Sequence, residues 1–220
     1  MSEIYEIVKT KAKTQSFVGW AVFEIFAGME RHVQADEKLS DLLYKWEKFS
    51  KSSIQFAHEK VEFIFRQRLY VDHMRPSVIP EEENLMRHQT IRDIKKGLFP
   101  LEESEACYMA ALVIQSFYGD PNTANIIRYD EVAAKYMPER FLKPNIHLEL
   151  MKMHIALRST SPEKADSLFM EYARIWPLFG ATVFDVSQCY TTELPEQLWL
   201  LINVDGIHIS ARDSKVSLSF

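Results

Sequence analysis

Five basic residues and a histidine pair are the side chains of this 220-residue sequence whose types and spacing invite a chemical reading. Arg66 and Arg68 sit two apart in FIFRQRLYV, so on an extended chain both leave the same face. Arg92, Lys95 and Lys96 gather where a polar segment runs up to Gly97. These five are the candidate contacts for an acidic phospholipid headgroup. The competing reading is two solvated faces, with the lysine pair complementing the negative end of a helix dipole. The formal net charge of −5, from 26 Lys and Arg against 31 Asp and Glu, favours that competing reading. It also argues against nucleic acid as a partner, because neutralising phosphates takes a concentrated basic surface.

His147 and His154 stand seven apart, with Glu149 between them, and on a helix they share a face. They are the best residues for a metal-dependent enzyme. Metal pairs on one helix prefer spacings of three or four, however, and no carboxylate completes this set. The run Glu81-Glu82-Glu83 reads as the acidic first turn of a helix rather than a calcium patch. Cys107 lies inside an apolar helix, without water or a base, and Cys189 borders a loop. The two are 82 positions apart and make neither a ligand spacing nor a disulfide framework, which points to a reducing compartment. No GxGxxG, Walker-type GxxxxGK or GxSxG is present, and six glycines leave little material for phosphate-cradling loops. No cofactor is expected.

The elements that would carry these residues follow from hydrophobic periodicity. Ile4, Tyr5, Val8 and Ala12 predict a short helix. Phe17 to Phe26 is apolar on both parities, which predicts a strand buried on both faces. Asp36 is the expected N-cap of a helix with Leu39, Leu42, Leu43 and Trp46 on one stripe, ended by the polar stretch Ser50 to Ser53. Val61 to Val71 alternates as a half-buried strand. Pro76 and Pro80 mark a boundary, after which the pattern is helical as far as Trp176. One helix there ends at Gly97. The next is opened by Pro100, is apolar nearly all round from Ala106 to Tyr118 and is capped by Gly119. Shorter helices are expected over about Asp130–Tyr136 and Asn145–Leu157, and Ser161-Pro162-Glu163 starts another whose stripe runs from Ala165 to Trp176.

From Gly180 the period becomes two. Ala181–Gln188 is one strand, and Leu198, Leu200, Ile202 and Val204 are the expected inner face of the next. Asp205-Gly206 is the expected hairpin turn. Strands over Ile207–Ala211 and Val216–Phe220 complete an antiparallel meander that looks unfinished at its outer layer. The first quarter is also meagre for a domain. The chain is therefore expected to be a fragment, with Leu218 and Phe220 exposed and association in solution as the result. The four tryptophans, Trp20, Trp46, Trp176 and Trp199, read as packing residues. The longest apolar run is far short of the roughly 18 residues a membrane span needs, and the start lacks a signal-peptide core.

Particular stretches carry a resemblance. GWAVFEIF, ERHVQADEKLSDLLYKWE and FIFRQRLYV resemble the second half of the ubiquitin-like lobe of a FERM (band 4.1) domain. LFPLEESEACYMAALVIQSFYGD is similar to the central helix of the second lobe. WPLFGATVFDVSQ with LPEQLWLLINVDGIHI resembles the start of the third, pleckstrin-homology-like lobe. The wording is nearest to FERM domains that follow a myosin-tail-homology segment in unconventional myosin tails, over about residues 15–220.

The resemblance implies an α+β, three-lobed arrangement. Residues 1–73 would be a partial ubiquitin-like lobe, 78–177 an all-helical, acyl-CoA-binding-protein-like bundle, and 178–220 the start of the pleckstrin-homology-like sheet. It implies a non-enzymatic cytoplasmic module, associated with the cytoskeleton at the cell cortex or in protrusions. Such a module docks cargo, membrane-protein tails or adaptor proteins, links them to actin through the parent motor, and can take part in holding that motor off. The alternative is the FERM module of a kinesin-like or other membrane–cytoskeleton linker, acting on microtubules through its parent and binding acidic phospholipid.

Overall fold

The structure, a computed structural model, describes residues 2–12, 19–26, 29–52, 54–56, 59–68, 70, 77, 79–99, 101–122, 126–176, 179–211 and 217–219. The chain divides into two units, Met1–Val71 with Pro76–Met86, and Asp72–Arg75 with Arg87–Phe220.

In the first unit, α1 (Ser2–Ala12) precedes β1 (Trp20–Phe26), β2 (Met29–His32), α2 (Leu39–Ser52) and β3 (Glu62–Gln67). The three strands form an antiparallel sheet in the order β2-β1-β3. β1 takes the centre because its residues are apolar on both parities, and Trp20 through Glu24 are all buried. On one face Val22, Val33 and Leu42 form a core, with Tyr5, Phe63 and Phe65 packed against it. The Tyr5 hydroxyl accepts the Val22 N–H at 3.0 Å, so the first helix is fixed to the central strand. Trp46 stacks on Phe26 with ring centroids 4.5 Å apart.

Two expectations fail here. The α2 helix begins at Leu39, three residues past Asp36, which lies in a turn. The carboxylate that organises this turn is Glu37, which accepts the Gln34 N–H at 2.7 Å and two bonds from Arg31. The periodic reading also passes over β2. Its four residues, Met-Glu-Arg-His, have no strand signature, and only pairing with β1 makes them a strand.

In the second unit, α3 (Pro80–Lys95) leads to α4 (Glu103–Tyr118), α5 (Tyr129–Tyr136), α6 (Ile146–Ala156) and α7 (Pro162–Ile175). Of α3, the part from Arg87 onward belongs to this unit. As its all-round apolar pattern requires, α4 is the buried centre, with every residue from Ala106 to Gln115 buried except Tyr108. It starts at Glu103, later than the expected opening at Pro100, a residue outside the described ones. Glu105 reaches back to the Glu102 N–H at 2.7 Å, which closes the first turn by side-chain capping without proline. Gly119 ends the helix at φ +68° and donates its N–H to the Gln115 carbonyl at 3.0 Å. At the start of α7 the Ser161 hydroxyl accepts the Lys164 N–H at 3.2 Å, with Pro162 at the first helical position, as its sequence predicts.

The unit ends in a four-stranded antiparallel sheet, β4 (Thr182–Ser187), β5 (Gln197–Asn203), β6 (Gly206–Ala211) and β7 (Ser217–Ser219), in that order across the sheet. Pairing of Asn203 with Gly206 places the two-residue turn at Val204-Asp205, one position before the expected Asp205-Gly206. The inner face of β5 also departs from the expected one, although Leu198 is buried as expected. Trp199 and Leu201 form the buried cluster with Leu98, Trp176, Ala181 and Val183, whereas Ile202 and Val204 are 40% and 60% exposed. Both faces of β5 are apolar, so alternation alone does not select one; the GLFPL segment before α4 and the end of α7 do. The expected exposure of Leu218 and Phe220 falls on side chains outside the described residues, as do Phe17, Leu69 and Val71.

Candidate interaction surfaces

The candidate basic residues are held in quite different ways. Arg66 lies on the face of β3 opposite the core, with its guanidinium 4.4 Å from the Phe23 ring centre and 2.6 Å from Glu30. Arg68 is one residue past the end of β3 and exposed, and its N–H continues the ladder to the Gly19 carbonyl at 2.5 Å. It sits close enough to His32 that, with burial as the leading cause, it pushes that imidazole toward the neutral form. Lys95 donates to the carbonyls of Ala134 and Met137 at 2.6 and 3.0 Å, closing the C-terminal end of α5. Arg92 is half-buried, with Nη1 lacking a hydrogen-bond partner among the described residues, and Lys96 is exposed. The structure thus places Arg66 and Arg68 together on the first unit and Arg92, Lys95 and Lys96 together on the second. Arg66 and Lys95 already serve intramolecular partners.

A second basic device went unnoticed in the sequence. Arg140 donates to the carbonyls of Phe99 and Leu101 at 3.0 and 3.3 Å, and Lys143 pairs with Glu103 at 2.6 Å. The Arg140 bonds hold Phe99 and Leu101, and Phe99 packs on Trp176 at 4.5 Å between ring centres.

The histidine pair does not form a metal site. His154 is fully buried, and both its ring nitrogens are engaged, Nδ1 with the Tyr129 hydroxyl at 2.8 Å and Nε2 with the Gly119 carbonyl at 3.0 Å. Glu149 pairs with Lys152 at 2.8 Å. Among the described residues no group of three or more His, Cys, Asp or Glu could hold a metal ion. Cys107 is buried in α4, and burial pushes its thiol up to about 11, so it is an unreactive core residue.

Surfaces open to a partner lie on the sheets. β4 is the outer strand of the four-stranded sheet, and among the described residues β5 is the strand that pairs with it. The register puts Phe184, Leu200 and Ile209 in one row and Ile202 and Ile207 in the next, on the face opposite Trp199 and Leu201. Phe184, Ile202 and Ile207 are 46%, 40% and 47% exposed.

Comparison with known proteins places this geometry. Residues 79–184 match the FERM central domain, and residues 1–69 match the RA-like domain. Just under half of the chain is thus similar to a FERM central domain. Among the relatives is the unconventional myosin heavy chain 6 of Caenorhabditis elegans, 26% identical over 132 residues, which is 58% of this chain and 6% of that protein. The myosin-I heavy chain of Dictyostelium discoideum is 28% identical over 212 residues, which is 88% of this chain and 8% of that protein. A mutant MF1 MyTH4-FERM domain of Dictyostelium discoideum myosin VII superposes with a TM-score of 0.82 at 19% identity, covering 99% of this chain and 45% of that one. The human myosin 7b C-terminal MyTH4-FERM domain, solved in complex with the harmonin-a PDZ3 domain, gives 0.71 at 16% identity, covering 98% and 46%. The chain therefore spans under half of each of those two solved chains. The α+β class read from the sequence agrees with these folds.

The RA-like match begins at residue 1, so it takes in α1, which lay before the stretch carrying the sequence resemblance. Within residues 79–184, the polar groups that sequence reasoning missed cluster at one end of the bundle. Gln115 donates to Asp120 Oδ1 and to the Thr160 carbonyl at 2.8 and 2.7 Å, and Asp120 also accepts the Ser159 N–H at 2.8 Å. The available signal was a lone Gln inside an otherwise apolar helix, four residues before its capping glycine.

Proposed function

We propose that this chain is a docking module of an unconventional myosin tail, binding cytoplasmic tails of membrane proteins or adaptor proteins and linking them to actin through its parent. In this reading 1–73, 78–177 and 178–220 are its three lobes, and the module sits at the cytoskeleton of the cell cortex or protrusions. The observation that carries it is the 28% identity to a myosin heavy chain over 88% of this chain. The adaptor class is supported by the myosin 7b relative, whose solved complex holds a PDZ domain. The mode we favour is strand addition at the edge of β4, with apolar side chains of the partner meeting Phe184 and Ile202. A role in holding the motor off belongs to the same proposal.

The test is titration calorimetry of the 220-residue chain against adaptor PDZ domains and peptides from membrane-receptor tails. Saturable micromolar binding, weakened by Val186→Pro in β4, is the expected result. Absence of binding to every such partner overturns the reading.

A second reading, binding of acidic phospholipid by Arg66, Arg68, Arg92, Lys95 and Lys96, draws on the exposure of Arg68 and Lys96. Sedimentation with phosphoinositide vesicles that exceeds sedimentation with neutral ones favours it, and equal sedimentation removes it.

A further inference from the structure

We propose that His154 is an acid-sensitive pin, holding the corner where α4, α5 and α6 meet, and that its protonation frees the start of α5 while the α4–α7 core stays folded. The geometry permits one tautomer. The Gly119 carbonyl can only accept, so Nε2 carries the hydrogen across the 3.0 Å contact. Nδ1 is then bare and accepts the proton of the Tyr129 hydroxyl at 2.8 Å. A second proton has one place to go, on Nδ1, where it turns an acceptor into a donor aimed at the hydroxyl oxygen. Tyr129 must then turn its own hydrogen away, and an imidazolium is left at a position with no solvent exposure.

The groups around the ring do not compensate. The Gly119 carbonyl and Asp120, which follows α4, favour the cation without offsetting burial, and Asp120 Oδ1 already accepts the Gln115 amide and the Ser159 N–H, each at 2.8 Å. Arg158, just past α6, is a second positive charge near Asp120. Tyr129, at the start of α5, is held in its neutral form by burial. Burial therefore decides the balance and keeps the His154 ring neutral, below the ordinary imidazole range.

The two ends of α5 differ in consequence. Its C-terminal end is held by Lys95 on the Ala134 and Met137 carbonyls. Its N-terminal end is held by Tyr129 on His154. With only eight residues, α5 has little helical stability of its own. Acid acts at the N-terminal end alone.

The test combines two measurements on the full 220-residue chain. Nitrogen-15 NMR of labelled histidine is expected to give the Nε2–H tautomer at pH 7.5, with a protonation midpoint below the ordinary imidazole value of about 6.5. Amide hydrogen exchange, corrected for intrinsic rate, is expected to show protection over residues 126–136 falling at least tenfold from pH 7.5 to 5.0. Over residues 103–115 protection should hold. His154→Gln should remove the pH-dependent step. Should that variant not fold, Tyr129→Phe is expected to raise the His154 midpoint toward 6.5. The Nδ1–H tautomer, equal protection at both pH values with His154 protonated, or loss of protection in both segments together would each overturn the proposal.

Discussion

The two sheets answer one question in opposite ways: what becomes of a side chain whose character contradicts its surroundings. In the three-stranded sheet a carboxylate, Glu24, stands in the middle of the most apolar strand and is almost fully buried. It is retained because Arg31 Nε lies 2.5 Å away, the Trp46 indole donates at 2.8 Å, and Lys45 lies 3.9 Å off. In the four-stranded sheet the most apolar rows, Phe184, Leu200 and Ile209 beside Ile202 and Ile207, lie away from the helices. The less apolar face, with His208 and Ser210, is the one buried. A buried charge survives where partners converge on it. An apolar face stays largely open, beyond Leu198, where no described helix packs on it. Hydrophobic pattern names candidates for burial, and neighbouring elements choose among them.

Trp199→Ala should have the largest effect, because Trp199 fills the junction between the sheet and Leu98 and Trp176. A loss of about 3–5 kcal/mol is expected in urea unfolding of the second unit, followed by near-ultraviolet circular dichroism. Glu24→Ala comes next. It strands the Trp46 N–H and takes from Arg31 one of its two carboxylate partners, Glu37 remaining, and should cost about 2–4 kcal/mol in the first unit. Glu24→Gln should recover part of that loss, because an amide oxygen still accepts from the indole.

The open face provides the sharpest contrast within one strand. Leu201→Ser should cost about 2–4 kcal/mol, whereas Ile202→Ser, its neighbour, should cost under about 1 kcal/mol. Equal losses for the two would mean that both faces of β5 are covered in solution, and the comparison between the sheets would collapse.

The smallest effect is electrostatic. The Gln115 amide and the Ser159 N–H hold the Asp120 carboxyl below the usual range. Its contribution is complete above the ordinary Asp value of about 3.9 and is lost as pH falls through the lower folded value. Thermal melts of Asp120→Asn should therefore lack the part of the acid destabilisation below about pH 4 that the parent chain shows.

Much of the bundle is legible along the chain. The all-round apolar run of α4, Gly119 after it, and Ser161-Pro162-Glu163 before α7 are local signals, and local hydrogen bonds and sterics enforce them. Legibility fails where a partner distant in sequence decides. Met29 to His32 becomes a strand only because β1 lies beside it. Asp36 is an adequate cap that goes unused, because Glu37 is already bonded to Arg31. The candidate lipid contacts show the same limit. Nothing in the spacing of Arg92, Lys95 and Lys96 reveals that Lys95 will spend its donors on α5, about 40 residues downstream.

By itself, then, the sequence determined the α+β class, the order of its elements apart from β2, the central helix of the bundle and the wording that resembles a FERM domain, because periodicity and caps act within a few residues. Tertiary structure alone decided which face of β5 is covered, which charges are already engaged, and that His154 bridges Gly119 and Tyr129 rather than joining His147. Those outcomes depend on contacts between groups 20 to 100 positions apart, and their energies exist only once the chain has brought the partners together.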